Sequence, residues 1–171
     1  MKKNWTNLIN PPLVYLKKSE ARDRYKWTPP PKGWFKLNFD GAARGNLGAA
    51  RIGCIINDDT GNWVAKKAMT ITPTSNNLVE LEALDKGLHL CHDLGLTKVI
   101  IEGDSQIILN VIRKRVTPNW VLNSKLSEVL DLLDRFVDIQ ICHIFREGNQ
   151  KADYLANKGA DRANFQVCND I

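Results

Sequence analysis

Two hydrophobic periods follow one another along this chain, and their order restricts the folds that it can adopt. From residue 34, apolar side chains such as Phe35, Leu37 and Phe39 alternate with polar ones, which is the period of a β-strand. Two further strand-like segments follow. After residue 77, apolar residues recur at helical spacing between short β-branched runs. The pattern predicts the element order β-β-β-α-β-α-α-β-α.

This order indicates an α/β fold built on one mixed sheet. Connections from strand to helix to strand are nearly always right-handed parallel crossovers. We therefore expect a five-stranded sheet, with three antiparallel strands followed by two parallel ones and with helices on both faces. Ligands of such sheets gather at the carboxyl ends of strands, where the strand order switches.

Composition fits one domain with a connector before it. The chain has 171 residues, of which 43% are hydrophobic. We expect a basic, proline-containing connector at residues 1–33 with a short helix near 13–23, a domain at 34–165 and a tail at 166–171. Residues 1–32 hold eight Lys/Arg and two Asp/Glu, whereas residues 33–171 hold sixteen and seventeen. The basic arm indicates either a polyanion partner or a solvated linker.

Neither a membrane span nor a secretory signal is expected from the sequence. The four cysteines are scattered without a CxxC pair, which is typical of reduced thiols inside the cell. We expect an intracellular monomer, in the cytoplasm or the nucleus.

Four carboxylates lie where predicted strands end or helices begin: Asp40, Glu80, Asp104 and Asp153. Converging carboxylates repel one another and are costly to desolvate, so the set predicts a divalent-metal site. Each acid also has a simpler explanation. Asp40 could start a turn before a glycine, Asp104 could cap a helix, and the other two could be first-turn helix acids.

Glu82 competes with Glu80 for the second position. Glu80 lies at the margin of the buried helix stripe that contains Leu84. Glu82 lies on the far side of the helix and is expected to face solvent. We therefore prefer Glu80. Asn76 and Asn77 are expected either to cap this helix or to bond a sugar or phosphate.

Four blocks of the sequence, NFDGAARGN, NNLVELEAL, IIEGDSQ and REGNQKADYLA, resemble in order and spacing the signature blocks of ribonuclease H. The resemblance covers about residues 34–163. The leader WTPPPKGWFKLNFDGA is similar to the one before the ribonuclease H-like domain of plant proteins and plant non-LTR retroelement reverse transcriptases. The resemblance implies a ribonuclease H-like fold and an endonuclease that cleaves the RNA strand of RNA/DNA hybrids, giving 5′-phosphate products.

The resemblance also implies roles for individual residues. The four acids match the catalytic, metal-binding positions, which would hold two Mg²⁺ ions or Mn²⁺ in their place. Four further positions match residues that contact the nucleic acid: Gly41, Asn76, Asn77 and Gln106. The family's loop histidine has no clear counterpart, because His143 falls within a predicted strand and Arg146 stands at the loop position. Either residue could act in catalysis, or His143 could be a buried strand histidine.

Two alternatives from other functional classes remain. One is a weakly active or inactive ribonuclease H-like module that binds nucleic acid beside a reverse transcriptase domain in the same polyprotein. The other is a different two-metal polynucleotidyl transferase of the same fold. The family's basic handle helix is missing, so the basic arm would have to help bind the hybrid. Trp27, Trp34 and Trp63 could stack bases, although packing is the simpler role for Trp34 and Trp63.

Overall fold

In the computed structural model the described residues are 26–43, 45, 49–114, 119–158 and 164–167. They form one mixed sheet with helices on both faces. The strands are β1 (Phe35–Ala43), β2 (Ala50–Asn57), β3 (Trp63–Ile71), β4 (Lys98–Gly103), β5 (Asp138–His143) and β6 (Asn164–Val167). The helices are α1 (Asn76–Asp93), α2 (Gln106–Lys114), α3 (Trp120–Leu133) and α4 (Gln150–Lys158). In this part of the chain, no helix combines the length and apolar character needed to cross a membrane.

The strand order in the sheet is β5-β4-β1-β2-β3-β6. β1, β2 and β3 pair antiparallel, whereas β1, β4 and β5 pair parallel. The five-stranded arrangement predicted from the sequence is therefore confirmed. The switch in direction occurs at β1, whose two neighbours run in opposite directions.

The short strand β6 adds an edge that the sequence pattern did not predict. It pairs antiparallel with β3, where Ala65 lies opposite Val167 and Ala68 lies opposite Asn164. The last helix of the predicted order spans Gln150–Lys158. The helix expected near residues 13–23 lies outside the described residues. The division into connector, domain and tail stays a prediction.

One face of the sheet is covered by α1, which packs on β1 and β2, with α3 against α1. Leu37 and Phe39 point to this face, and both are fully buried. The stripe of apolar residues predicted for α1 meets them there, because helical spacing places its members on one side. Gly95, with φ of +69°, follows the helix in the left-handed conformation that glycine tolerates best.

The opposite face is covered by α4, which packs on β1, β2 and β3. Gly53 of β2 allows this close approach, because a Cβ at that position would lie 2.4 Å from the backbone nitrogen of Ala156 and 2.6 Å from the carbonyl oxygen of Ala152. Asp40 lies opposite Gly53 in the register of β1 and β2. The helix that closes this face is thus seated beside the end of β1.

We predict that Gly53→Ala lowers the free energy of unfolding by about 2–3 kcal/mol, because the added methyl group meets helix backbone that cannot move alone. Gly87→Ala on α1 is the matched control. Its Cβ would meet only the Leu37 side chain, at 2.7 Å. Alanine is also about 1 kcal/mol more favourable than glycine in a helix, so we expect a smaller loss. Urea unfolding of both variants checks this, and equal losses would contradict the packing described for α4.

Candidate active site

Parallel pairing of β1 with β4 brings two of the predicted acids to the same edge of the sheet. Asn38 pairs with Glu102, and Asp40 and Asp104 each lie two residues further along. Asp40 is 4% exposed. Asp104 does not cap α2, since the Ser105 hydroxyl accepts from the backbone N–H of Ile108 at 3.4 Å. Its carboxylate is therefore left to face the other acids.

Glu80, on the second turn of α1, is the third acid at this edge. One carboxylate oxygen from each of Asp40, Glu80 and Asp104 lies within 4.8 Å of the others. Glu82 points away toward α3, where its carboxylate lies 3.3 Å from Nζ of Lys125 rather than in open solvent. The geometry therefore agrees with the choice of Glu80 over Glu82.

The three acids share an environment that disfavours their charged forms. Burial, followed by the charges of Asp104 and Asp153, raises the pKa of Asp40 to about 7, against the opposing effect of Arg146. Burial, followed by the charges of Asp40 and Asp104, holds the pKa of Glu80 well above its usual value. Burial also raises the pKa of Asp104. Such a cluster of shifted acids in one cleft is typical of a functional site.

The donor set fits a hard divalent cation. Oε2 of Glu80 is buried and has no hydrogen-bond partner among the described residues. A buried oxygen of this kind is costly unless a partner satisfies it. Carboxylate oxygens are the ligands that Mg²⁺ and Mn²⁺ prefer, whereas zinc sites usually include His or Cys. Asp40, Glu80 and Asp104 could therefore hold such an ion between them.

Asp153 lies outside this group of three but faces the same cleft, since its charge raises the pKa of Asp40. It belongs to the first turn of α4. Its Oδ1 accepts a hydrogen bond from Nη2 of Arg146 at 3.0 Å. The Arg146 side chain is 74% exposed. The positively charged side chain of Arg146 thus lies at the entrance of the acidic cleft, paired with Asp153.

His143 is the last residue of β5 and is 7% exposed, within the strand as the sequence predicts. Its Nε2 lies 3.2 Å from the backbone carbonyl oxygen of Asp104. Its ring also meets that of Phe145 edge to face, with centroids 5.3 Å apart. This geometry favours the buried strand histidine over a mobile loop residue.

The four predicted substrate contacts surround the acids on different elements. Gly41 lies in β1, where a Cβ would be 2.6 Å from the backbone of Val79 in α1. Asn76 is exposed and Asn77 is half-buried at the start of α1. Neither caps the helix, because Ser75 does so. Gln106 is exposed at the start of α2. Their contact with nucleic acid stays a prediction.

A buried polar network, which the sequence pattern did not predict, lies beneath the acids. Its members are almost fully buried: Lys36 5%, Asn38 2%, Glu102 8% and Asn149 1% exposed. Nζ of Lys36 lies 3.2 Å from Oε1 of Glu102. A signal was present, because Lys36 and Asn38 share the strand face of Asp40 by the period of two.

Comparison with known proteins agrees with this arrangement. A family model described as reverse transcriptase-like matches residues 38–159. The chain belongs to the ribonuclease H family. Ribonuclease HI of Halobacterium salinarum is 36% identical over 130 residues, which are 73% of this chain and 63% of that protein. An Arabidopsis thaliana protein whose name describes it as a ribonuclease H protein is 32% identical over 145 residues, or 85% of this chain. The chain spans only 23% of that plant protein's length.

Solved ribonuclease H structures share the fold over almost their whole length. The ribonuclease H1 structure from Halobacterium salinarum has a TM-score of 0.71 and 34% identity, with 74% of this chain and 96% of that chain covered. The structure of LC11 ribonuclease H1 in complex with an RNA/DNA hybrid has a TM-score of 0.68 and 30% identity. It covers 72% of this chain and 94% of that chain.

Asp40 should make this ribonuclease H domain less stable at neutral pH when no metal ion is bound. Its pKa rises from 3.8 to about 7 on folding. The stabilisation from the protonated form is complete below pH 3.8 and is lost as the pH rises through 7. We expect Asp40→Asn to raise the free energy of unfolding at pH 8 by at most about 4 kcal/mol, and to change it little below pH 4.

Thermal unfolding in EDTA across this pH range measures the effect. The exposed Asp93→Asn serves as the control, because it removes an acid outside the cleft. An Asp40→Asn variant that melts at or below the unaltered chain at pH 8 would contradict the proposed repulsion among the acids.

Proposed function

We propose that this domain is a metal-dependent endonuclease that cleaves the RNA strand of RNA/DNA hybrids. The observation that carries the proposal is the convergence of one carboxylate oxygen each from Asp40, Glu80 and Asp104 within 4.8 Å. Membership of the ribonuclease H family supports the same reaction class. So does the hybrid bound by the similar LC11 ribonuclease H1.

Asp40, Glu80, Asp104 and Asp153 are the residues that would hold the metal ions, which we propose to be two Mg²⁺, with Mn²⁺ able to substitute. The chemistry that such ions supply when bound is activation of water and stabilisation of charge on the leaving oxygen. The acids bring the negative charge that this requires. Burial keeps their field strong, because the surroundings screen it less than water would.

Arg146 has a separate task in this proposal. Its guanidinium is exposed beside Asp153, so it can meet a phosphate of the hybrid while it remains close to the acids. Gly41, Asn76, Asn77 and Gln106 would contact the hybrid around the cleft. A contact with the ribose 2′-OH would select RNA over DNA.

The reverse transcriptase-like family match supports a setting beside a reverse transcriptase, either in one polyprotein or as a derived separate protein. The partner is then a hybrid made by that enzyme, in the cytoplasm or the nucleus. Residues 1–32, with eight Lys/Arg against two Asp/Glu, would add phosphate contacts to those of residues 33–171, where sixteen Lys/Arg are balanced by seventeen Asp/Glu. The chain acts as a monomer in this proposal.

A second candidate is a hybrid-binding module of the same family with weak cleavage. The position of His143 favours it, since this buried side chain lies against the Asp104 carbonyl oxygen instead of in the loop before α4. Loss of one proton-transfer group lowers the rate about 10²–10⁴-fold. Binding without cleavage would identify this candidate.

The decisive experiment compares Glu80→Gln with Glu82→Gln on a labelled RNA/DNA hybrid in Mg²⁺ or Mn²⁺. Both variants remove one acid from the same helix. We expect metal-dependent cleavage of the RNA strand to fall by more than about a hundredfold in Glu80→Gln, because a metal ligand is lost. Glu82→Gln should stay close to the unaltered chain, since Glu82 pairs with Lys125 on α3.

Asp40→Asn should abolish cleavage in the same way. Cleavage that survives Asp40→Asn would contradict the assignment of the acids. An unaltered chain that binds the hybrid but leaves the RNA intact with either metal would contradict the enzyme proposal and support the binding module.

A further inference from the structure

The segment before β1 is docked on the sheet through hydrogen bonds at both of its ends. The indole Nε1–H of Trp27 donates to Oδ1 of Asn38 at 2.8 Å. Nζ of Lys36 donates to the carbonyl oxygen of Thr28 at 2.6 Å. The backbone N–H of Gly33 donates to Oδ2 of Asp59 at 2.8 Å. Trp27 and Thr28, although expected in the connector, thus lie against polar side chains of β1, and Gly33 is bonded to the turn between β2 and β3.

Trp27 meets the buried network at Asn38, which is 2% exposed. Nδ2 of Asn38 donates to Oε2 of Glu102 at 3.0 Å and lies 3.3 Å from Oδ1 of Asn149. Both partners of this amide nitrogen are therefore oxygen acceptors. Together with the indole donor they satisfy the side chain of Asn38 inside the protein.

All three partners of the Asn38 amide favour the same orientation. Reversal of the Asn38 amide would place its oxygen against the Glu102 carboxylate and the Asn149 carbonyl oxygen, which repel it. Trp27 supplies the donor that fixes the opposite orientation. A buried acceptor that loses such a donor costs about 1–3 kcal/mol. Trp27 therefore stabilises the observed arrangement of the amide chain, in which Asn38 donates to Glu102 and Asn149.

Asn149 carries this arrangement to the active site. Its Nδ2 donates to the carbonyl oxygen of Phe39 at 2.9 Å, immediately before Asp40. Its backbone carbonyl oxygen accepts from the backbone N–H of Asp153 at 3.1 Å, in the first turn of α4. One residue, 1% exposed, thus fixes both the strand that bears Asp40 and the helix turn that bears Asp153.

We propose that Trp27 is a positioning residue, which acts through two buried amides on the placement of Asp40 and Asp153. The inference rests on the proposed function in so far as these acids serve catalysis. Its structural part, that Trp27 orders the first turn of α4, is independent of the reaction. The segment before the domain is then a working part of the active site.

The test is Trp27→Phe in the full chain, which keeps an aromatic ring and removes the indole donor. Trp63→Phe at the start of β3 is the matched control. Both tryptophan rings have lysines above them. Nζ of Lys66 lies 4.6 Å from the ring centroid of Trp63. Nζ of Lys36 and Nζ of Lys151 lie 5.4 Å and 5.1 Å from that of Trp27. Trp63 has no part in the amide chain described above.

Cleavage of the RNA/DNA hybrid at saturating Mg²⁺ gives the first readout. We expect kcat of Trp27→Phe to fall at least about tenfold with KM within about twofold, because displaced acids weaken the transition state rather than substrate binding. A rise in KM at unchanged kcat would overturn the proposal and assign Trp27 to substrate contact. An unchanged kcat and KM would overturn it as well.

Hydrogen exchange at the Asp153 amide gives the second readout, which needs neither metal nor substrate. We expect faster exchange there in Trp27→Phe, with the amides of β2 unchanged, and no such change in Trp63→Phe. Exchange that stays at the unaltered rate would overturn the positioning role. An unaltered chain without cleavage would instead contradict the proposed function, and the exchange result would still decide the role of Trp27.

Discussion

The parallel pairing of β1 with β4 is the interaction on which the site depends. It aligns Asn38 with Glu102, and so sends Asp40 and Asp104 to the same edge on the same face. An antiparallel pair in this position would place the two acids at opposite ends. The crossover through α1 makes this pairing parallel, and the same helix delivers Glu80 to the edge. Topology and chemistry are therefore set by one connection.

The acids work against the stability that this topology provides. Burial and mutual repulsion raise the pKa of Asp40 to about 7. The fold tolerates them because a well-packed core on the other face, with Leu37 and Phe39 fully buried, holds β1 in place. Hydrophobic burial of that kind contributes about 1.5–3 kcal/mol for each large side chain. Unfavourable repulsion of this kind is common among the clustered acids of cation-binding sites.

The strands, the helices and the candidate acids could be predicted because each depends on the pattern of residues close together in the sequence. The period of two in β1 and the helical stripe of α1 each follow from short-range spacing. Burial of Lys36, Asn38 and Glu102 was not predictable in the same way. Alternating polar residues normally mark a solvated strand face. Here α4, from a distant part of the chain, packs on β1, and Trp27 of the preceding segment bonds to Asn38. Likewise, β6 was not predictable from local sequence, because it forms by pairing with β3, which is distant in the chain.

That pairing has a consequence for the behaviour of the whole sheet. An edge strand offers unpaired backbone groups to any other extended chain, and β3 is nine residues long. β6 occupies the middle of this edge, opposite residues 65–68. The four residues of β6 therefore protect this edge against pairing with another chain. Their contribution would appear in the solubility of the chain rather than in its chemistry.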